Sequence, residues 1–192
     1  SNEITDIDIS SNLDEATFSW TATYPSTITG ASDGSGDNIA QTLFNSGTTI
    51  DTVFYTISIG NVQCPDDSVV VPVAVQPGIN LTLVNDTIVC SGGSINPVDV
   101  VSTPTGATFS WENTNTSIGL GASGSGQVPT WIVPSNTTGS AISGTITITA
   151  ILDPSCPGSE TDFIVTVEPT GNIDLSTLDT LVCSGESPDV IV

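Results

Sequence analysis

The chain has 192 residues, of which 21 are Asp or Glu and none is Lys, Arg or His, so its formal charge is -21. Such a chain repels nucleic acid and anionic lipid, which are bound through Lys and Arg, and it can form no ion pair between side chains. The general bases that titrate near neutrality are missing as well, which leaves carboxylate chemistry alone and argues against an enzyme.

No run of about 18 apolar residues is present, so no membrane insertion by this segment is expected. Residues 1–20 lack a basic leader region, and signal and sorting segments are expected elsewhere in a longer precursor. In chain order, the first strong strand signal is Ala16-Thr17-Phe18-Ser19-Trp20, with both rings on one face of an alternating run. It is followed by a Gly-rich loop, Ala31-Ser32-Asp33-Gly34-Ser35-Gly36-Asp37, and by the alternating run Tyr55-Thr56-Ile57-Ser58.

The same signals then return in the same order. Ala107-Thr108-Phe109-Ser110-Trp111 repeats the first at a shift of 111 - 20 = 91. Ile146-Thr147-Ile148-Thr149 repeats Tyr55–Ser58, Cys156-Pro157 repeats Cys64-Pro65, and Val167-Glu168-Pro169 repeats Val75-Gln76-Pro77. Asp86-Thr87-Ile88-Val89-Cys90-Ser91-Gly92 returns as Asp179-Thr180-Leu181-Val182-Cys183-Ser184-Gly185, at 183 - 90 = 93. Matched blocks in one order define tandem repeats. The expected organisation is a repeat over 1–77 that lacks its opening strand, a complete repeat over 78–169, and the opening strands of a third over 170–192.

Within the complete repeat, strands are predicted near 79–84, 86–90, 98–102, 107–112, 128–133, 144–151 and 161–168, the last with Phe163, Val165 and Val167 on one face. No helical period is present. Seven short strands in about 90 residues predict an all-β fold of tandem immunoglobulin-like antiparallel β-sandwiches.

Cysteines at 64, 90, 156 and 183 allow three pairings. Cys156 opens the last strand of its repeat, and that strand carries the chain about 30 Å away at 3.3 Å per residue before Cys183 is reached. Placing Cys90 at the same pole as Cys156 predicts a Cys90–Cys156 disulfide, closing a loop of 156 - 90 = 66 residues. By register, the partners of Cys64 and Cys183 then lie outside residues 1–192. Disulfides imply an oxidising compartment.

The remaining candidates are weaker. Asp33 and Asp37 are the candidate calcium ligands, but the second copy, Ala122-Ser123-Gly124-Ser125-Gly126, has no carboxylate there, and a tight surface loop is the plainer reading. No other cofactor is expected. Neither Gly-rich loop has the Lys or following helix of a phosphate cradle. The carboxylates Asp6, Asp8, Asp66 and Asp67 could suggest a glycosidase pair, yet Asp66-Asp67 becomes Gly158-Ser159 in the next copy. Trp131, aligned with Gln41, could stack on a sugar if exposed, although a partly buried strand residue is commoner.

Five of these segments together, Val89-Cys90-Ser91-Gly92-Gly93, Ala107–Trp111, Gly121–Gly126, Cys156-Pro157-Gly158 and Phe163–Pro169, resemble the PKD-like repeats of giant cell-surface adhesins of gliding Bacteroidota. The resemblance spans the whole repeat. It implies secretion by the type IX pathway and display outside a Gram-negative cell as a filament serving adhesion or gliding, with neighbouring repeats as partners. Asp followed by Ser or Thr and an aliphatic residue is similar to the O-glycosylation signal of these bacteria, which makes Thr52, Ser68, Thr87 and Thr180 candidate glycan acceptors. Two roles fit: a rigid, protease-resistant spacer, or a module whose loops contact surface polysaccharide.

With no cation to offset it, carboxylate self-repulsion acts over about 8–10 Å at physiological ionic strength. Added sodium chloride or calcium should therefore raise the melting temperature. A melting curve indifferent to both would contradict this.

Overall fold

The computed structural model describes residues 4–13, 15–60 and 68–171. Among them the chain forms β1 (Ile7–Asp8), β2 (Thr17–Thr23), β3 (Ile28–Thr29), β4 (Gly34–Ser35), β5 (Asn38–Ile39), β6 (Phe44–Asn45), β7 (Asp51–Gly60) and β8 (Ser68–Val75). It continues with β9 (Asn80–Leu81), β10 (Thr87–Cys90), β11 (Ser94–Ile95), β12 (Ser102–Thr103), β13 (Thr108–Asn113), β14 (Ser123–Ser125), β15 (Trp131–Ile132), β16 (Ile142–Ile151) and β17 (Ser159–Glu168). Among the described residues one 3-10 turn, Thr116–Ile118, interrupts the strands.

The fold is all-β, as the alternating runs predict, and each copy is built on one long sheet. The first has the order β4-β2-β7-β8 and the second β14-β13-β16-β17-β10. Alternation decides the inner face. In β7 it buries Val53, Tyr55 and Ile57, and in β17 it buries Thr161, Phe163, Val165 and Val167. Short ladders cover that face: β1 with β5 and β3 with β6 in the first copy, β9 with β12 and β11 with β15 in the second. Ile28 and Ile39 of these ladders join Trp20 and Tyr55 in one core, and Ile95 and Trp131 join Trp111 and Phe163 in the other.

Three predicted strands are shorter than expected, the first, near 79–84, reducing to Asn80–Leu81. Around 98–102 and 128–133 the pairing reduces to a Val98–Val128 bridge and two-residue ladders. The pairing of β10 with β17 is parallel, in contrast to the expected antiparallel sandwich, and sets Thr87 opposite Val165 and Cys90 opposite Glu168.

The Gly-rich loops are part of the sheet. β4 and β14 pair with β2 and β13, placing Gly34 opposite Trp20 and Gly124 opposite Trp111. A Cβ at Gly34 would lie 2.5 Å from the Trp20 ring, and one at Gly124 would lie 2.3 Å from the Trp111 ring. Each indole thus lies flat on a residue with no side chain, which closes the edge of the core. Phe18 and Phe109, two residues before each Trp, are only partly buried at the rim.

The two indoles differ in one respect. Trp20 Nε1 donates to Ser32 O at 3.1 Å, whereas buried Trp111 Nε1 has no hydrogen-bond partner among the described residues. A net hydrogen bond contributes about 1 kcal/mol. Trp20→Phe should accordingly destabilise its repeat by about 1 kcal/mol more than Trp111→Phe does, since both variants lose similar ring area. Urea melts of the two variants check this, and equal losses would contradict it.

Candidate functional site: the repeat boundary

Among the described residues, two buried asparagines at equivalent points of the repeat, and no carboxylate, use both their amide donors and their oxygen. Asn45 ends β6, is 1% exposed, and follows the pairing of Ile28 with Asn45 that carries its side chain inward. Its Nδ2 donates to Thr49 O and to Val75 O, both at 2.8 Å, and its Oδ1 accepts from Gly47 N at 2.8 Å. Asn136, 91 residues later and 2% exposed, repeats the set. Its Nδ2 donates to Ser140 O at 2.8 Å and Val167 O at 3.0 Å, and its Oδ1 accepts from Thr138 N at 3.1 Å.

Each amide thus fastens a loop to the last residue or two of the final strand. The same residues also hold the chain as it leaves. Asn45 O receives Gly78 N in a long 3.5 Å contact, and Asn136 O receives Thr170 N at 2.9 Å and Thr170 Oγ1 at 3.2 Å. Gly78 and Thr170 follow Pro77 and Pro169 at equivalent points of the repeat. A surface groove lies at the first boundary, where Phe44, Gln76 and Ile79 meet Leu152 and Cys156. The signal for these hubs was present in the sequence as Asn45-Ser46-Gly47 and Asn136-Thr137-Thr138-Gly139, turns in which an Asn side chain bonds the backbone two residues on.

The predicted site residues fall elsewhere. Asp33 and Asp37 do not converge: Asp33 Oδ1 accepts from Ala22 N at 2.8 Å, and Asp37 contributes its backbone carbonyl to Ile9 N. No group of three or more His, Cys, Asp or Glu side chains suited to a metal occurs among the described residues. Asp6 and Asp8 share one donor, Asn38 Nδ2, at 2.8 Å each, on an exposed strand. Trp131 is 8% exposed and donates from Nε1 to Ile118 O at 3.1 Å, so it is a core residue and offers no face to a sugar. The bridges Ile4–Thr42 and Ile95–Trp131 align it with Thr42 rather than Gln41. Gln41 instead accepts from buried Tyr55 Oη at 2.8 Å; burial, and then the charge of Tyr24, push that phenol's pKa above its ordinary value.

The expected Cys90–Cys156 pairing meets the same correction. Cys90 stands opposite Glu168, at the end of β17, while Cys156 precedes the start of that strand at Ser159. Nine strand rises of about 3.3 Å put them roughly 30 Å apart, far beyond disulfide reach. The expectation failed because β10 runs parallel to β17 and carries Cys90 to the far pole. Of the candidate glycan acceptors, Thr87 and Ser68 are exposed and Thr52 is half-buried. Cys64, Cys183, Thr180, Asp66 and Asp67 lie outside the described residues.

Replacing Asn45 or Asn136 by Ala leaves one buried carbonyl, Val75 O or Val167 O, without its donor and frees a loop carbonyl at Thr49 or Ser140, and should cost about 2–3 kcal/mol of stability. Asn38→Ala, whose partners are surface carboxylates, should stay within about 1 kcal/mol. Chemical denaturation of the three variants provides the comparison, and equal effects would show that the two buried hubs hold nothing.

No curated protein matches this chain. No helix among the described residues is long and apolar enough to cross a membrane. PKD-like domains are typically extracellular, structural or adhesive, and generally non-catalytic. Residues 1–79 match the family model of the PKD-like domain, which supports PKD-like repeats in this chain.

Proposed function

We propose that this segment is a rigid, protease-resistant spacer within a secreted bacterial surface adhesin or filament that supports adhesion and gliding on a Gram-negative cell. The observation that carries the reading is the pair of asparagine hubs. Each fixes the end of a final strand and receives the residue that follows the boundary proline. A linker bonded back onto the repeat it leaves behaves as a continuation of the sandwich and not as a flexible tether. Two further features support a life outside the cell: the chain has no Lys or Arg for trypsin-like proteases to cleave, and residues 1–79 match a family that is typically extracellular.

The resemblance to adhesin repeats of gliding Bacteroidota supplies the finer reading of export by the type IX pathway. Neighbouring repeats are then the principal partners, and exposed Thr87 and Ser68 the best-placed glycan acceptors. The polysaccharide-binding alternative has lost its aromatic platform with the burial of Trp131.

Small-angle scattering from the purified chain should give the profile of a stiff elongated particle, and Asn45→Ala should broaden its distance distribution by loosening the boundary at Pro77. A freely jointed profile for the unsubstituted chain would overturn the spacer reading.

A further inference from the structure

The two described cysteines sit at opposite ends of one repeat, and each end faces a different neighbour. Cys90 closes β10 opposite Glu168, at the end where the chain passes Pro169 toward the following residues. A second contact fixes it there: the backbone N–H of Asn136, whose carbonyl holds Thr170, donates to Ser91 Oγ beside Cys90. Cys156 lies in the turn before β17, with its N–H donating to Asp153 O at 3.0 Å. That end faces the preceding repeat, where Cys156 lines a shallow pocket with Ile4, Thr5, Val75 and Gln76.

The register joins these two facts. Val75-Gln76-Pro77 is the counterpart of Val167-Glu168-Pro169, so Gln76 is the first repeat's equivalent of the residue that faces Cys90. Cys156 therefore lies beside the place that an opening-strand cysteine of the preceding repeat occupies. By the 91-residue shift that cysteine falls at 90 - 91 = -1, two residues ahead of Ser1 and five ahead of Ile4, just as Cys90 is five ahead of Ile95.

We propose that the disulfides of this protein join neighbouring repeats: the opening-strand cysteine of each repeat bonds to the loop cysteine, equivalent to Cys156, of the repeat that follows. The parallel β10–β17 pairing puts one cysteine at the exit pole and the other at the entry pole, so end-to-end stacking brings unlike cysteines together across each boundary. Formation is a two-electron oxidation. Two thiols lose their protons, one S–S bond forms, and the electrons reduce the disulfide of a thiol oxidant, such as oxidised glutathione, to two thiols. The inference is independent of the spacer reading, since repeats linked in this way could equally present a binding loop.

The test extends the chain by a copy of Asp86–Ser91 fused ahead of Ser1, which restores a cysteine at the required position. After refolding with oxidised and reduced glutathione, the protein is digested without reduction by chymotrypsin and a Glu-specific protease, since the sequence has no Lys or Arg. The expected product links the added cysteine to Cys156. That link should be lost in Cys156→Ser and retained in Cys64→Ser, and the melting temperature of the extended chain should fall on reduction. A bond from the added cysteine to Cys64, a Cys90–Cys156 bond, or an added cysteine left as a thiol in folded protein would each overturn the proposal. Scattering on the same samples reads stiffness separately, so loss of the bond and loss of the rod are distinguishable.

Discussion

A chain with 21 carboxylates and no basic side chain must satisfy its negative groups with neutral donors, and much of the local structure follows from this. Asp33 takes the N–H of Ala22, Asp86 that of Ile164 and Asp153 that of Ser155, each at 2.8 Å. Asp51 accepts from Thr27 Oγ1, Glu160 from Thr149 Oγ1, and Asp6 and Asp8 share the amide of Asn38. Hydrogen bonds to an ionised acceptor are stronger than neutral ones. These carboxylates therefore act as caps on strand edges and turns, and of the residues that could be mistaken for calcium-binding or catalytic groups, Asp33 is occupied by a backbone N–H and Asp6 and Asp8 by a side-chain amide.

The interior carries the opposite burden. With ion pairs unavailable, cohesion comes from apolar burial and from a few neutral side chains that bond fully. Tyr55 in the first core and Phe163 in the second are among the largest buried side chains, and Trp20 and Trp111 close the sheet edge by lying on Gly34 and Gly124. Asn45 and Asn136 do what a buried ion pair could not do here, since an amide carries donor and acceptor on one neutral group and so avoids the desolvation cost of a charge. The fold repeats its solutions along with its sequence. Each copy has a Trp on a Gly, an Asn under the final strand, and a linker residue bonded to that Asn.

Much of this is legible in the residues themselves. The Phe-x-Trp pair, the alternation of Phe163, Val165 and Val167 and the 91-residue register are properties of residue identity, and the long sheets follow from them. The Gly-rich loops were legible as turns but not as strands, because the reason for Gly is the indole above it, a neighbour distant in sequence. Trp131 was ambiguous for a similar reason: its burial depends on the 3-10 turn at Thr116–Ile118, whose Ile118 carbonyl it bonds, and no periodicity announces a turn of three residues. Strand direction was the costliest gap. An alternating run has the same pattern whether it pairs parallel or antiparallel, and the reach of Cys90 depends on that choice alone.

Direction also gives the repeat its polarity. A final strand whose first residue lies near the preceding repeat and whose last residue touches the following linker carries the chain from one pole to the other within a single element of about 30 Å. The opening strand, lying parallel beside it, travels the same way, so a covalent or hydrogen-bonded feature at its end belongs to the exit boundary and not to the repeat's own entry. Asn136 makes the point without any cysteine. Its side chain holds Val167, its carbonyl holds Thr170 and its N–H reaches Ser91, so one buried residue joins opening strand, final strand and linker at a single pole. The end of one sheet and the start of the next segment are thus tied through the same residue, so the repeat boundary is built from the repeat's own buried core.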